Sequence, residues 1–280
     1  MQSVTLPPGQ PFNLHLTLGC GQVFRWTRDG EWWTGIVEGK VIRIRQDART
    51  LIFTGADHSF INHYFHLDAD LPAILAHIDR DEIIGSAIRR CEGLRIIRQP
   101  AWECLASYIC ATYANIPGIK KRIFLLSKRF GDSLVPGEEK YYSFPTPETL
   151  ARSAPCDVKS CSLGYRAPYL CETAVQIARD PGWEEIMRSL SYTDARKELL
   201  KLKGVGKKVA DCVLLFAFQN YDAFPVDVWI ERIMKYCYQG EENLKNYDQI
   251  AGSGRRMFGQ YAGYAQEYLF CDRNEIIPWS

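Results

Sequence analysis

The sequence predicts an α+β protein: an N-terminal antiparallel β-sheet domain with helices over residues 1–98, followed by a mainly α-helical domain over 99–280. Three observations carry this reading. Before about residue 56, apolar and polar side chains alternate with the period of a half-buried strand. From about Ile61 onward, apolar residues recur at i, i+3, i+4 and i+7. Over 280 residues, 46% are apolar and 24% charged, the balance of a globular protein long enough to bury a core without staples.

In chain order, His15-Leu16-Thr17-Leu18 and Val41-Ile42-Arg43-Ile44-Arg45 read as strands. Asp29-Gly30 and Glu38-Gly39-Lys40 read as turns between strands, and Phe24, Trp26, Trp32 and Trp33 make the sheet rich in aromatics. Leu71, Ile74, Leu75 and Ile78 open the helical part, followed by Trp102–Ile109 and Ile119–Leu126. Pro136–Pro147 reads as a long loop. Helical spacing resumes at Ala174–Ala178, Tyr192–Leu202, Lys208–Phe218, Val228–Tyr238, Gln249–Phe258 and Gly263–Cys271. The seam between the parts is placed near Glu92–Pro100.

Composition excludes several classes. No apolar run reaches the roughly 18 residues a membrane helix needs. Met1–Gly9 carries neither the basic nor the apolar region of a signal peptide, so an intracellular chain is expected. The ten cysteines have no C-x-x-C spacing and no tight cluster, which argues against zinc ribbons and iron–sulfur clusters and for buried thiols. Net charge is only +1, yet two stretches are locally basic: Arg196 to Lys208, and Lys120 to Arg129. Solvated helix faces account for most clusters of this kind.

The segment that carries chemistry is Leu199-Leu200-Lys201-Leu202-Lys203-Gly204-Val205-Gly206-Lys207-Lys208-Val209-Ala210-Asp211-Cys212. A helix ends, two glycines sit two apart, and a second helix begins at once. Gly204 and Gly206 allow positive φ and close backbone approach. The free N–H groups of the new helix's first turn suit a phosphate. Such a hairpin between helices grips a nucleic-acid backbone without reading sequence, and Lys207 suits a phosphate contact. Lys208 stands in that first turn, where the positive end of the helix dipole disfavours the cation. The neutral amine is a nucleophile. Downstream, Asp227 in Phe224-Pro225-Val226-Asp227 precedes an apolar-periodic helix and reads as its N-cap, an anion able to stabilise a developing cation. Asp211, the rival acid, is read as structural.

Gly204-Val205-Gly206, Lys208 and Pro225-Val226-Asp227 together resemble the signature of the helix-hairpin-helix DNA glycosylase superfamily, whose lysine marks the bifunctional glycosylase and lyase branch. Further segments are similar to the 8-oxoguanine DNA glycosylases: Gly21-Gln22-Val23-Phe24-Arg25-Trp26 to a strand, and Gly93–Gln99 with Glu103-Cys104-Leu105 to the domain junction. Leu163-Gly164-Tyr165-Arg166-Ala167 resembles a loop of that family, and Tyr261–Gln266 with Phe270 its base-reading helix. The resemblance runs from about residue 13 to 272, and it identifies 99–280 as a helix-hairpin-helix catalytic domain.

The resemblance implies a repair enzyme that flips 8-oxoguanine out of double-stranded DNA. Lys208 attacks C1′, expels the base and forms a Schiff base, Asp227 stabilises the cationic sugar, and β-elimination nicks the strand. It implies that the Gly21 carbonyl accepts from the lesion's N7–H, that Gln266 reads the Watson–Crick edge, and that Phe270 and Cys212 sandwich the base. From the residues alone, helix core explains Phe270 and Cys212 equally well. Tyr113, Tyr165 and Arg166 fall on the estranged base. No metal or organic cofactor is implied, a structural monovalent cation at the hairpin being left open. A cytoplasmic, nucleoid-associated monomer of bacterial or archaeal type is expected, with no membrane partner. The chain departs from the family at Tyr113-Ala114-Asn115-Ile116-Pro117-Gly118, where eukaryotic members have an Asn-rich loop ending in Ala-Arg, and at Val228-Trp229, where they have Val-His. The alternatives are a glycosylase for another oxidised base and a catalytically silent DNA-binding protein.

Overall fold

A computed structural model describes residues 1–138, 140–240 and 244–277. Five strands, β1 (Gln2–Thr5), β2 (Trp26–Asp29), β3 (Trp32–Val37), β4 (Lys40–Asp47) and β5 (Thr50–Thr54), form one antiparallel sheet in the order β1-β5-β4-β3-β2. Register pairs Trp33 with Ile44 and Ile44 with Phe53, which puts these buried side chains on one face. Trp26 is buried beside Gly35 in the register, where an added Cβ would lie 2.2 Å from the indole ring. Only a glycine admits that ring.

The first helix, α1 (Leu14–Gly19), stands where the sequence reading put a strand. Four alternating residues are too few to separate the two periods. Asn13 settles the matter by capping Leu16 N (3.0 Å), and Leu14, Thr17 and Leu18 turn inward at helical spacing. Gly21–Arg25 is likewise irregular, the strand beginning only at Trp26. Gln22 explains why. Its buried amide donates to Thr17 O and Arg95 O (both 2.9 Å) and accepts from Ile97 N (2.8 Å), joining α1 to the seam. Arg25 pairs with Glu103 across the same seam at 3.0 Å.

Then come α2 (His58–Tyr64), α3 (Leu71–Ile78), α4 (Glu82–Arg90), α5 (Ala101–Ala111), α6 (Ile116–Phe130), α7 (Pro147–Ala151) and α8 (Pro155–Val158). A kinked turn over Lys159–Leu163 leads to α9 (Arg166–Arg179), α10 (Trp183–Ser189), α11 (Tyr192–Leu200) and α12 (Lys207–Phe216). The chain continues through α13 (Val228–Cys237), α14 (Tyr247–Phe258), α15 (Ala262–Cys271) and α16 (Arg273–Ile276). The six late helical segments read from the sequence all contain helices.

Two cores form. The smaller packs the sheet face onto α1 and α2 with Ile97. The larger gathers the helices from α3 onward and also takes Cys20 and Phe24. Residues 71–91 precede the chain division at 98/99 but pack into the helical core, because α3 and α4 lie against the buried helix α15. All ten cysteines are free thiols. No helix among the described residues is long and apolar enough to cross a membrane.

Candidate active site

The hairpin forms as the glycines require, but only one of them for its φ. Gly204 has φ +76°, and an added Cβ would meet Tyr169 Cβ at 2.8 Å. Gly206 is instead the extended N-cap of α12, with open space where a side chain would be. Among the described residues no side chain caps α12, so its first-turn N–H groups remain available to an anion. Lys207 is half-exposed and reaches Asp248 at 2.5 Å. Much of the surrounding basic stretch is likewise neutralised: Arg196 pairs with Asp211 and Asp248, Lys197 with Asp194 and Lys201 with Glu198. In the second basic stretch, Lys120 donates to Trp26 O (2.9 Å) and Arg129 pairs with Asp157 (2.6 Å).

Lys208 points the other way around α12. Its Nζ lies 5.0 Å from the centre of the Tyr108 ring. Tyr108 is itself fixed by stacking on Phe216 and by its hydroxyl donating to Gln22 O at 3.3 Å. Asp227 is the N-cap of α13, Oδ1 accepting from Trp229 N (3.0 Å) and Ile230 N (2.9 Å). Both side chains line a cavity of ≈160 Å³ together with Gly21, Cys212, Gln266 and Phe270. All six catalytic and base-binding residues read from the sequence therefore meet in one pocket. A larger cavity of ≈560 Å³ lies between the sheet and α6 and contains none of the predicted site residues.

Gln266 is buried, and its Oε1 has no hydrogen-bond partner among the described residues. A buried amide oxygen in this condition costs about 1–3 kcal/mol unless a ligand supplies the donor. Phe270 lies across from Gly21, whose added Cβ would approach Phe270 Cε1 to 3.9 Å at φ +102°. Cys212 sits deeper, and burial pushes its thiol up to about 12, Lys208 opposing, so it stays neutral and packs as an apolar group.

The remaining predicted residues lie outside the pocket. Tyr113 is 93% exposed with φ +48°, and Tyr165 is 51% exposed. Arg166 differs from its expected role. It is buried, and its guanidinium donates to the carbonyls of Thr112, Tyr113 and Leu163, with Cζ 4.4 Å from the Tyr165 ring centre. It clamps the loop that presents Tyr113 rather than standing free to read a base.

Sequence reasoning passed over Glu267, which also lines the pocket and is 5% exposed. The signal was an acid directly after Gln266 in a mostly apolar helical run, Ala262 to Leu269, buried along its length. Among the described residues no group of three His, Cys, Asp or Glu side chains is arranged to hold a metal.

A β-sheet domain packed with a helical domain, with a hairpin-borne lysine and a helix-capping aspartate lining one pocket, defines the class of helix-hairpin-helix DNA glycosylases. Residues 113–257 match the HhH-GPD superfamily of base excision DNA repair proteins, and residues 4–105 match the 8-oxoguanine DNA glycosylase N-terminal domain. The chain belongs to this family of 8-oxoguanine DNA glycosylases within the HhH-GPD superfamily. A probable N-glycosylase/DNA lyase of Methanothermobacter thermautotrophicus is 32% identical, covering 75% of this chain and 72% of its own length. The N-glycosylase/DNA lyase of Saccharomyces cerevisiae is 30% identical, with coverages of 90% and 81%. The crystal structure of the Clostridium acetobutylicum 8-oxoguanine glycosylase/lyase with double-stranded DNA containing cytosine opposite 8-oxoguanine superposes with a TM-score of 0.89. That protein is 34% identical over 95% of this chain and 93% of its own.

Proposed function

We propose that this chain is a bifunctional base-excision repair enzyme that removes 8-oxoguanine from duplex DNA and nicks the strand, acting as a monomer without metal or organic cofactor. The observation that carries the reading is the convergence in one pocket of Lys208, Asp227 and Gln266, whose Oε1 has no partner among the described residues. The hairpin holds a backbone phosphate at the head of α12, while Tyr113 and Tyr165 fill the stack vacated by the flipped nucleotide. In the pocket, the Gly21 carbonyl accepts from the lesion's N7–H, whereas guanine's N7 would face it lone pair to lone pair. Gln266 supplies both an acceptor and donors to the Watson–Crick edge, so the orphaned oxygen gains a partner only when a base is present.

Lys208 as the free amine forms a bond to C1′, and the C1′–N bond breaks with its electron pair going to the base. Positive charge builds on the sugar near Asp227, whose carboxylate is already oriented by two backbone N–H groups and needs no reorganisation. Loss of the amine proton and ring opening give the Schiff base. Removal of a C2′ proton then expels the 3′ phosphate, and water hydrolyses the imine.

The test is incubation with duplexes carrying 8-oxoguanine opposite each of the four bases, beside a panel of other lesions, with borohydride trapping. Excision and trapping on 8-oxoguanine support the proposal. Preference for another lesion moves the substrate, and absence of any trapped adduct leaves a silent DNA clamp.

A further inference from the structure

Glu267 follows Gln266 on α15 and shares the pocket with Lys208 and Asp227. Among the described residues no Lys or Arg forms an ion pair with it. Its carboxyl has a thiol partner instead: Cys20 Sγ donates to Oε2 at 3.6 Å. A thiol is a weak donor. The carboxyl is thus withdrawn from water without the cation or backbone N–H groups that a buried carboxylate needs, and such a group resolves the conflict by carrying a proton.

The groups that face it come from several elements. Cys20 follows α1, Lys208 stands on α12, Asp227 heads α13 and Arg273 opens α16. Tyr108 on α5, Cys212 on α12 and Cys271 at the end of α15 also feel its charge. Each of these three is raised, Tyr108 and Cys212 chiefly by burial and Cys271 first by its contact with Cys91, so all stay neutral. Burial is the largest influence on Glu267, and Asp227 adds to it. Against the opposing Cys20 contact, Lys208 and Arg273, they push the carboxyl up to about 7. Both of its forms are populated near neutral pH.

Resting on the excision reaction proposed above, the geometry points to Glu267 as the proton donor to the departing base. As the Lys208 nitrogen bonds to C1′, the C1′–N bond breaks and its electron pair goes to the base. The base takes the carboxyl proton of Glu267 and leaves neutral, and Glu267 remains as a carboxylate that solvent protons recharge. No oxidant or co-reactant enters. Schiff-base formation at a preformed abasic site involves no departing base and therefore does not call on Glu267.

The test compares wild type with Glu267→Gln in single-turnover excision of 8-oxoguanine from about pH 5.5 to 9, alongside borohydride trapping on a preformed abasic-site duplex. Glutamine keeps the size and hydrogen-bonding capacity of the side chain but has no proton to give. Wild-type excision is expected to fall as pH rises through about 7, where the donor form is lost. Glu267→Gln is expected to lack that limb. At pH 6 its ratio of excision rate to abasic-site trapping rate is expected to fall roughly 100-fold, the lower range for removal of a general acid. Excision by Glu267→Gln with the wild-type rate and pH profile would overturn the inference. So would equal losses in excision and trapping, which would assign Glu267 to Lys208 or to the fold. Wild type that neither excises nor traps would instead remove the excision reading, and this inference with it.

Discussion

On the side of α12 that packs against α11 and α14, Asp211 is fully buried. It accepts from the Tyr192 hydroxyl (2.8 Å), the Tyr247 hydroxyl (2.7 Å) and the Arg196 guanidinium (2.8 Å). On an adjacent face the same helix presents Lys208 and Cys212 to a pocket where, among the described residues, Gln266 Oε1 has no partner and Glu267 has a thiol. Two carboxylates near Lys208 in sequence or space thus have opposite circumstances. A buried polar group satisfied from all sides holds a fold together, whereas one left short of partners costs stability until a ligand completes it. The satisfied region is scaffold, and the short-changed region is where substrate chemistry belongs.

The sharpest break of this comparison is Lys208→Gln. It should abolish excision and borohydride trapping while leaving lesion binding and melting temperature near wild type, a loss of at least about four orders of magnitude in rate, or roughly 5.5 kcal/mol in barrier. A melting temperature that collapses with activity would make Lys208 scaffold too. Asp211→Ala is the converse. Removing one partner of a buried ion pair costs about 3–5 kcal/mol, and the lower end is expected because Arg196 keeps Asp248 at 3.1 Å. Denaturant unfolding checks this, and a stable but inactive variant would place Asp211 in the chemistry.

Asp227→Asn sharpens the contrast, since asparagine caps about as well as aspartate. Stability should hold while single-turnover excision falls by about 10²-fold, the scale of losing one preorganised electrostatic contact. Glu267→Gln should stabilise the protein at pH 8. A carboxyl raised from its ordinary value near 4.5 to about 7 binds its proton more tightly folded than unfolded. Its cost therefore opens between those pH values as pH rises and is constant above them. Thermal melts should show a gap of roughly 1–3 kcal/mol at pH 8 that closes below about pH 4.5. A gap independent of pH would deny that the carboxyl titrates there.

The smallest effect concerns the base opposite the lesion. Gly118 offers no side chain, and Arg166 is committed to three backbone carbonyls. Excision opposite cytosine should then exceed that opposite adenine by only a small factor, since losing one discriminating contact removes about 1–3 kcal/mol of preference. A preference of about three orders of magnitude in single-turnover rates would mean that Arg166 lets go of the loop or that Tyr113 reads the base.

Much of this was legible in the sequence because the informative groups are local. The hairpin, the cap at Asp227 and the i, i+4 relation of Gln266 to Phe270 depend on spacing alone. The six late helices announced themselves by periodicity over whole turns. What escaped required distant partners. His15–Leu18 alternates too briefly to betray that Asn13 caps a helix. The commitment of Arg166 depends on carbonyls some fifty residues away. The setting of Glu267 depends on Cys20 and Lys208, which reach its pocket from distant parts of the chain. The basic stretch around Lys203 holds less free charge than its own residues imply, because Asp248, which pairs with Arg196 and Lys207, is distant in sequence.

The most direct measurement is identification of the trapped residue. Wild-type protein is incubated with an 8-oxoguanine duplex in borohydride, digested, and the peptide carrying the reduced sugar adduct is sequenced by mass spectrometry. The account predicts the adduct on Lys208. An adduct on Lys207, on another lysine or on the N-terminal amine would contradict it.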